Sequence, residues 1–460
     1  MKNRSTFAGL VVCALGLAFA VRSQDARSLE TTSTSILANP PGLPRLPTPE
    51  AAEAAAAAAG LNLTNIQGDI VIGQLKLHET FLFFSIVDAA TFKSKLRSDI
   101  LPLVTNAGQM LKTETQPDTL VNIAFSQNGL SALGITDNLN DAAFRAVFLL
   151  ASNTVENVDA TLKTVTSALG ASIKEAYSLQ AAARKGNQEG HEHFGFLDGI
   201  SNPAIRGFDD NPLPGQARVP PGEILLGEAN DNITRPAWAK DGSFLVFRQL
   251  QQLVPEFHKY LTDNPIVEPH LTRAQGADLL GARMVGRWPS GAPVFLSPNA
   301  DDPELGADSH RNNNFTNSRC PFSAHIRKSR PRADLGEDKE NAHHIVRGSI
   351  PYGEDVTPEE AAANTTTIER GMAFVAYQSN IVAGFQFMQQ TWLNNPNLQN
   401  TTGFDPVVGA NHGDARWSQG NLDPTDPTKN FTLLNDFVIS RGGEYFFSPS
   451  LSAIADKLSA

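Results

Sequence analysis

The same order of strands and helices is predicted twice along the chain. Four apolar runs of six or seven residues have the length and composition of buried strands, and each is followed by a helical pattern. In the first half the pairs are strand Phe81–Val87 with helix Ala90–Leu103, and strand Leu120–Phe125 with helix Asn128–Leu133. In the second half they are strand Phe244–Leu250 with helix Leu253–Leu261, and strand Met372–Tyr377 with helix Ile381–Trp392. This repetition indicates a duplicated strand–helix module.

A stretch rich in proline and glycine separates the two halves. Residues Gly207–Gly227 include four prolines, a composition typical of a connection between folded units. Strands separated by helices would also permit a parallel sheet. The small number of strands in each half and their irregular connections instead favour an α+β arrangement of two open sheets with flanking helices.

The first 20 residues have the pattern of a secretory signal peptide. Lys2 and Arg4 precede the uncharged stretch Ser5–Val21, which is too short to span a bilayer and contains the small-residue cleavage pattern Ala18-Phe19-Ala20. Residues 21–60 are rich in Ser, Thr, Pro and Ala and are predicted to be a pro-segment or linker, because sequence of low complexity does not bury a core. The predicted domains are residues 61–215 and 216–460.

Charge and cysteine usage narrow the functional class. With 37 Lys and Arg against 48 Asp and Glu, the net charge is −11, so no basic surface for nucleic acid or an anionic membrane is expected. Loss of Cys13 with the signal peptide would leave Cys320 as the single thiol, which excludes a disulfide framework. Six sequons are acceptor sites for N-glycans in a secreted protein: Asn62, Asn232, Asn314, Asn364, Asn400 and Asn430.

One candidate site combines two histidines with a carboxylate. His191 and His193 precede Asp198, which lies between Gly195 and Gly199. Two histidines and a carboxylate could bind a divalent metal, which would predict a metallohydrolase. The two glycines favour a carboxylate displayed on a tight turn, where the backbone can approach a flat ligand closely. A surface turn without a catalytic role is the third interpretation.

A second candidate is a histidine at the start of a basic segment. His325 follows an apolar stretch, and four of the next seven residues are Arg or Lys. An imidazole beside an anion-binding pocket would suit haem, which needs a neutral imidazole for its iron and cations, here Arg330 and Arg332, for its propionates. A solvated basic loop is the alternative. A zinc site with Cys320 would lack further thiols.

A third candidate is an arginine between an apolar pair and a turn. Arg347 follows Ile345-Val346 and precedes a segment that contains glycine and proline. This position would hold a guanidinium rigidly. A purely structural ion pair is the alternative interpretation.

These segments belong to an ordered series of motifs that resembles the fungal dye-decolorising peroxidase family. Gly195-Phe196-Leu197-Asp198-Gly199 is similar to the GxxDG signature of that family. The series also includes the His325 and Arg347 segments and four further blocks, Asn65–Ile70, Gly286–Gly291, Tyr377–Asn380 and Gly442–Phe447. The blocks run in one order from about Leu61 to the C-terminus, so the resemblance covers nearly all of the predicted mature chain.

The resemblance implies a haem peroxidase with two ferredoxin-like modules, antiparallel sheets and peripheral helices, and with the haem in the C-terminal half. His325 would be the iron ligand of one haem b, and Asp405 would accept the other N–H of its ring. Asp198 would move a proton between the two oxygens of hydrogen peroxide, and Arg347 would stabilise the developing negative charge. The reducing partners would be dyes, phenols and related aromatic donors.

The resemblance assigns four further side chains. Met372 and Phe374 alternate on a predicted strand, so both can face one side, and they resemble the apolar residues beside the haem, although Leu is expected at 372. Tyr352 and Trp392 resemble the aromatic residues that carry an electron hole from the haem to the surface, although each could equally be a packing residue. A secreted haem-binding or haem-delivery protein without turnover is the alternative function.

Overall fold

Antiparallel strands dominate the structure of the protein. The structure is a computed structural model, and it describes residues 46–73, 77–135, 146–306, 320–335, 341–398, 402–419, 422–426, 428–434 and 436–460. The strands in these ranges are β1 (His78–Ile86), β2 (Thr119–Phe125), β3 (Ala146–Ser152), β4 (Ile173–Ala182), β5 (Ala204–Ile205), β6 (Arg218–Val219), β7 (Ser243–Gln252), β8 (Val346–Arg347), β9 (Ile350–Tyr352), β10 (Gly371–Gln378), β11 (Arg416–Ser418), β12 (Phe431–Leu433) and β13 (Val438–Ser448).

Helices follow most of the long strands. They are α1 (Pro49–Ala59), α2 (Gly68–Ile72), α3 (Ala89–Lys95), α4 (Ala107–Leu111), α5 (Gln127–Ala132), α6 (Val155–Leu169), α7 (Val254–Asp263), α8 (Arg273–Val285), α9 (Pro303–Gly306), α10 (His325–Ser329), α11 (Pro358–Ala363) and α12 (Leu451–Ala453). Wider π-helical turns cover Leu96–Ile100, Val382–Gln386, Met388–Leu393 and Ile454–Leu458. Among the described helices, none has the length and apolar character needed to cross a bilayer.

The long strands form one sheet built from two groups. Its order is β4-β1-β3-β2-β13-β7-β10-β8, and β9 also pairs with β10. The first four strands come from the N-terminal half and pair antiparallel. The remaining strands come from the C-terminal half and also pair antiparallel. The two groups meet where Phe447 of β13 pairs with Phe125 of β2. The predicted α+β class with two antiparallel groups is confirmed, and the groups share a single sheet.

Both faces of the sheet are buried, which explains the continuous apolar runs in the sequence. Phe81 and Phe83 of β1 enter one core, and the alternating residues Leu82 and Phe84 enter the other. Helix α6 covers the second core with Val158, Val165 and Leu169. A strand with two buried faces needs apolar side chains at every position rather than at every second one.

The helix α1 corrects the prediction that folded structure begins near Leu61. Thr48 caps its N-terminus by accepting the N–H of Ala51, and Gly60 ends it in the left-handed conformation with φ of 76°. Ala52 and Ala56 lie one turn apart and are buried in the core. The end of residues 21–60 is therefore part of the fold. The predicted signal peptide, and residues 21–45, lie outside the described residues.

Two predicted helices differ from the observed ones. The segment predicted as one helix from Ala90 to Leu103 forms α3, a π-helical turn and a short 3-10 turn at Pro102. The segment predicted from Ile381 to Trp392 is interrupted at Gly384, whose φ and ψ are −85° and −107°. A Cβ at Gly384 would lie 3.1 to 3.3 Å from the Gln378 side chain, so glycine permits the close contact there.

The predicted domain boundary at residues 215 and 216 falls between β5 and β6. These two short strands pair with each other in parallel, through Ala204 with Arg218 and Ile205 with Val219. The division of the chain into residues 61–215 and 216–460 stays a prediction.

Candidate active site

The loop that carries Asp198 is organised by the carboxylate of Glu192. Its two oxygens accept the backbone N–H groups of Phe194 and Phe196, each at 2.8 Å. Gly195 and Gly199 have φ of 99° and 85°, values that residues with a side chain rarely adopt. The glycine spacing therefore does place Asp198 on a tight turn. Glu192 was not predicted as a functional residue, although it lies within the same segment.

Asp198 and Arg347 form a direct ion pair at the end of this loop. Oδ1 of Asp198 accepts from Nη1 of Arg347 and from the N–H of Gly199, both at 2.6 Å. Oδ2 makes no hydrogen bond to any of the described residues. The two side chains are 32% and 27% exposed. One carboxylate oxygen is thus fixed, and the other is available to take up a proton.

The charge of Arg347 keeps Asp198 ionised in acid. Burial is the largest effect on Asp198 and would raise its pKa. The charge and hydrogen bond of Arg347, together with the N–H of Gly199, outweigh burial and hold the pKa of Asp198 below its usual value. The carboxylate form therefore persists in mildly acidic solution.

Arg347 is fixed through its backbone as well as its side chain. Nδ2 of Asn202 donates to the carbonyl oxygen of Arg347 at 2.8 Å, and the N–H of Arg347 donates to Oδ1 of Asn202 at 3.1 Å. Arg347 also pairs with Ala376 across β8 and β10. Opposite residues of antiparallel strands project to the same side, so the side chain of Arg347 lies on the sheet face that carries Phe374.

Replacement of Asn202 by Ala is expected to loosen Arg347. Two hydrogen bonds are lost, so the free energy of unfolding should fall by roughly 1–3 kcal/mol, and the rate of reaction with peroxide should fall because the guanidinium is no longer held in place. Denaturant unfolding and stopped-flow kinetics measure the two effects. Asn211→Ala, at an exposed position of the same connection, is the control and should change neither. Normal kinetics in Asn202→Ala would show that Asn202 does not position Arg347.

His325 is the first residue of α10, and its imidazole is held by Asp405. Nδ1 of His325 lies 2.9 Å from Oδ2 of Asp405. Oδ1 of Asp405 accepts the N–H groups of Val407 and Val408, each at 2.8 Å. The Asp405 side chain is fully buried, whereas that of His325 is 32% exposed. Nε2 of His325 has no hydrogen-bond partner in the part of the chain that the structure describes.

The two members of this pair shift each other's protonation. Burial would lower the pKa of His325, but the charge and hydrogen bond of Asp405 raise it by more, so the net shift is upward. Burial would raise the pKa of Asp405, but His325 and the two backbone N–H groups hold it below its usual value. Arg347 and Asp198 also shift the pKa of His325 through their charges. His325, Asp198 and Arg347, the three groups predicted from the sequence, are therefore close together in one site.

The donor set of this site fits a haem. An N–H at Nδ1 directed to a carboxylate leaves the lone pair of Nε2 for a metal, the arrangement usual for a metal-ligating histidine. Met372 and Phe374 lie on the face of β10 opposite to the core residues Ala373 and Val375. This face can provide an apolar wall beside the porphyrin.

The predicted propionate-binding residues have different surroundings. Arg332 is buried, with φ of 52°, and its Nη1 donates to the carbonyl oxygens of Ile326 and Arg330 at 2.7 and 3.0 Å. Its Nη2 donates to Oγ of Ser201 at 3.1 Å. Arg332 thus links the helix of His325 to the loop of Asp198, a structural role that the sequence did not indicate. Arg330 is half-buried at the end of α10. Cofactor binding by either arginine stays a prediction.

Tyr352 and Trp392, the candidates for carrying electrons to the surface, are both buried. They are 5% and 3% exposed. The hydroxyl of Tyr352 donates to Oε1 of Glu369 at 3.1 Å, and burial is the main cause of its raised pKa. The ring of Trp392 packs edge-on against Phe387 and His343, with centroids 5.4 and 5.1 Å apart. A bulky donor cannot contact these rings directly, and their part in electron transfer stays a prediction.

The structure speaks against the alternative of a divalent-metal site on His191, His193 and Asp198. Nε2 of His193 lies 3.0 Å from the carbonyl oxygen of Tyr352, and its Nδ1 lies 3.6 Å from Asp355. Burial lowers the pKa of His193 to about 4. Nδ1 of His191 is within 2.9 Å of a backbone oxygen. No group of three or more His, Cys, Asp or Glu that could hold a metal ion occurs among the described residues.

Two family models match the chain. Residues 65–146 match the "DyP dimeric alpha+beta barrel domain", and residues 294–404 match "Dyp-type peroxidase, C-terminal". The first match covers β1, β2 and the start of β3. The second covers His325, Arg347 and all of β10.

Relatives match over nearly the whole length. A dye-decolorizing peroxidase of Mycena epipterygia is 49% identical, with 99% of each chain covered. One of Auricularia auricula-judae is 49% identical, with 98% of each chain covered. A crystal structure of a fungal DyP-type peroxidase from Auricularia auricula-judae has 49% identity and a TM-score of 0.83, and the match covers 87% of this chain and 99% of that one. A further structure with 49% identity and a TM-score of 0.83, a dye-decolorizing peroxidase with an engineered heme pocket, matches 87% of this chain and 100% of its own.

Proposed function

The chain belongs to the dye-decolorizing peroxidase family, and from this we propose that it is a secreted enzyme in which His325 holds the haem iron and Asp198 with Arg347 activates hydrogen peroxide. Members of this family are haem peroxidases, so the chain is an oxidoreductase of that type. One observation supports the assignment of residues. Within the described ranges, Nε2 of His325 and Oδ2 of Asp198 are unpartnered, while the second polar atom of each group is fixed by hydrogen bonds.

His325 and Asp405 would hold a single haem b. When bound, the haem supplies the redox chemistry, taking two oxidising equivalents from hydrogen peroxide and removing one electron from each of two donors. Asp405 accepts the N–H of the imidazole, which fixes the tautomer and makes Nε2 a stronger donor to iron. Arg330 and Arg332 are the proposed partners of the propionates. Met372 and Phe374 would exclude water from the peroxide side.

Asp198 would act as the proton carrier of the site. Its Oδ2 takes the proton from one oxygen of hydrogen peroxide and returns it to the other, which leaves as water. The guanidinium of Arg347 balances the negative charge that develops as the oxygen–oxygen bond breaks. The same guanidinium holds Oδ1 and so keeps Oδ2 in position.

Removal of the Arg347 charge is expected to move the acid limit of activity to higher pH. Asp198 must be ionised to take up a proton, so the peroxide rate falls as the pH drops through its pKa. The usual pKa of an aspartate is about 3.9. In the native protein the pKa of Asp198 lies below it. In Arg347→Gln the effect of burial remains and raises the pKa of Asp198, so the acid limb shifts upward. The pH profile of the second-order rate constant tests this. An unchanged limb would contradict the assignment of Asp198 as the base.

The reducing substrates and the extracellular location complete the proposal. Dyes, phenols and related aromatic compounds would be the reducing substrates. Residues 1–20 have the basic, apolar and small-residue pattern of a signal peptide, which supports secretion. The six sequons support N-glycans on the secreted protein. The acidic net charge of −11 argues against nucleic acid as a partner.

An optical spectrum before and after peroxide, followed by dye turnover, tests the proposed function. We expect a Soret band from the purified protein, a change in that band on addition of hydrogen peroxide, and peroxide-dependent loss of dye colour. A Soret band with no catalysis would instead indicate a haem-binding or haem-delivery protein. A protein that takes up no haem would contradict the proposal entirely.

A further inference from the structure

A lysine side chain is buried beside the segment that carries Asp405. Lys328 lies three residues after His325 in α10, and it is fully buried. Its Nζ donates to the carbonyl oxygens of Asn395 and Gly403, each at 2.7 Å. An ammonium loses its hydration when it is buried, so it is kept inside a protein only where strong partners replace the water. None of the roles proposed above uses this side chain.

The two carbonyl oxygens belong to the two stretches of chain that fix the backbone of Asp405. Gly403 precedes Asp405 by two residues. Asn395 follows Leu393 by two residues, and the carbonyl oxygen of Leu393 accepts the N–H of Asp405 at 3.0 Å. Lys328 therefore ties the helix of the proposed iron ligand to both of the stretches that hold Asp405 in place.

The charge of Lys328 is balanced by Asp405 rather than by a carboxylate in direct contact. With a neutral imidazole, the pair of His325 and Asp405 carries one negative charge. Arg416 donates from Nη1 to the backbone oxygen of Asp405 at 2.8 Å, but its Nε pairs with Asp436, also at 2.8 Å. Lys328 has no ion pair of this kind within the described ranges, and Asp405 is the charged group that acts on it.

Lys328 carries its charge in mildly acidic and neutral solution. Burial lowers the pKa of Lys328 to about 8, although the charge of Asp405 acts in the opposite direction. The amine is therefore an ammonium under these conditions. Charges interact more strongly in the interior of a protein than in water, so this ammonium lowers the affinity of the Asp405 carboxylate for a proton.

We propose that the ammonium of Lys328 stabilises the Asp405 carboxylate, keeps the Nδ1 proton on His325 and so raises the reduction potential of a haem bound there. If that proton moved to Asp405, the remaining imidazolate would be a stronger donor and would favour ferric iron. The positive charge also disfavours ferric iron directly, because ferric iron carries one more positive charge than ferrous iron. Lys328 is thus a positioning residue that acts through Asp405. The inference rests on the proposed function, since it requires His325 as the iron ligand.

Two measurements on the haem-loaded protein test this role. Redox titration gives the midpoint potential of the ferric and ferrous forms, and resonance Raman spectroscopy of the ferrous form gives the iron–histidine stretching frequency. Lys328→Met removes the charge and both hydrogen bonds but keeps an unbranched side chain, so the potential should become more negative and the frequency should rise. Lys328→Gln keeps an N–H donor without the charge and should shift both quantities in the same directions. Lys163→Met, at an exposed position of α6, is the matched control and should shift neither.

A double-mutant cycle tests whether Lys328 acts through Asp405. The stretching frequency is measured in Asp405→Asn and in the double variant Asp405→Asn with Lys328→Met. Asn cannot take up the Nδ1 proton as the carboxylate can, so the shift caused by Lys328→Met should disappear in this background. A shift of the same size as in the native background would overturn the proposed action through Asp405.

The outcomes separate this inference from the proposed function. A native potential and a native frequency in both Lys328→Met and Lys328→Gln would overturn the inference and leave Lys328 as a structural tie. If Lys328→Met does not hold haem, Lys328→Gln decides the question with the same two measurements. An iron–histidine band that is absent from the native protein would instead contradict the proposed function, because His325 would not be the iron ligand.

Discussion

Replacement of Asp198 by Asn is expected to slow the reaction with hydrogen peroxide by about 100- to 10,000-fold, the usual contribution of a positioned acid–base group. Asn keeps the size of the side chain and retains an oxygen that can accept from Gly199 and Arg347, as Oδ1 does in the native protein. The amide nitrogen that replaces Oδ2 cannot take up the peroxide proton. Stopped-flow absorbance after mixing with peroxide measures the rate.

Asp210→Asn is the matched control for this variant. Asp210 lies in the connection that follows the Asp198 loop and pairs with Arg218 at 2.7 Å, with both side chains more than 40% exposed. Its replacement removes one carboxylate and should leave the peroxide rate unchanged. The haem content of Asp198→Asn should equal that of the native protein. Loss of haem in this variant would show that Asp198 is structural, and a normal rate would show that another group carries the proton.

Replacement of His325 by Ala is expected to abolish stable haem binding and with it the peroxidase activity. The variant loses the only group in the described site that presents an unpartnered imidazole nitrogen beside Asp198 and Arg347. It also leaves the buried Asp405 carboxylate without the imidazole that it holds at 2.9 Å. Asp405→Asn should have a smaller effect, a fall in haem affinity of about 10- to 100-fold, as is usual for a group that supports a metal ligand. Haem titration followed by the Soret band measures both.

His270→Ala is the control for the loss of an imidazole. His270 is exposed and lies 3.4 Å from Glu268, so its removal should alter neither haem affinity nor activity. Added imidazole should restore part of the haem binding of His325→Ala, because the small molecule can occupy the space that the side chain vacates. Native haem affinity and an unchanged spectrum in His325→Ala would identify a different iron ligand.

The main groups of the site could be predicted because their signals are local. Asp198 is bracketed by two glycines, His325 precedes a run of basic residues, and Arg347 follows an apolar pair. Each pattern lies within a few residues and left an ordinary alternative open, and the resemblance of the ordered series of motifs to a known family decided between them. The structure brings the three side chains together, with Arg347 bonded to Asp198 and the charges of both acting on His325.

The residues that position this site could not be predicted because their contacts are distant in sequence. Asn202 meets Arg347 across 145 residues, and Arg332 meets Ser201 across 131 residues. An asparagine or arginine in a connecting segment has many ordinary uses, and only the fold selects among them. The sequence left open whether Tyr352 and Trp392 are packing residues, since composition does not reveal which aromatic residues the packing covers, and both are buried.

Features of the fold were missed where local composition conflicts with the final structure. The alanine-rich sequence of α1 is uniform in polarity, so its buried face, Ala52 and Ala56, cannot be told from its exposed face. The strand β13 contains Gly442-Gly443, which weakens its strand pattern. A Cβ on Gly443 would lie 2.5 Å from the backbone oxygen of Phe247, so glycine is required by the packing. β13 is also the strand through which the two halves of the sheet join.

A crystal structure of the haem-loaded protein would show which atoms face the iron. We expect Nε2 of His325 to coordinate the iron from one side of the porphyrin, with Oδ2 of Asp198 and the guanidinium of Arg347 on the other. Coordination of the iron by a different residue, or Asp198 on the same side of the porphyrin as His325, would contradict this arrangement.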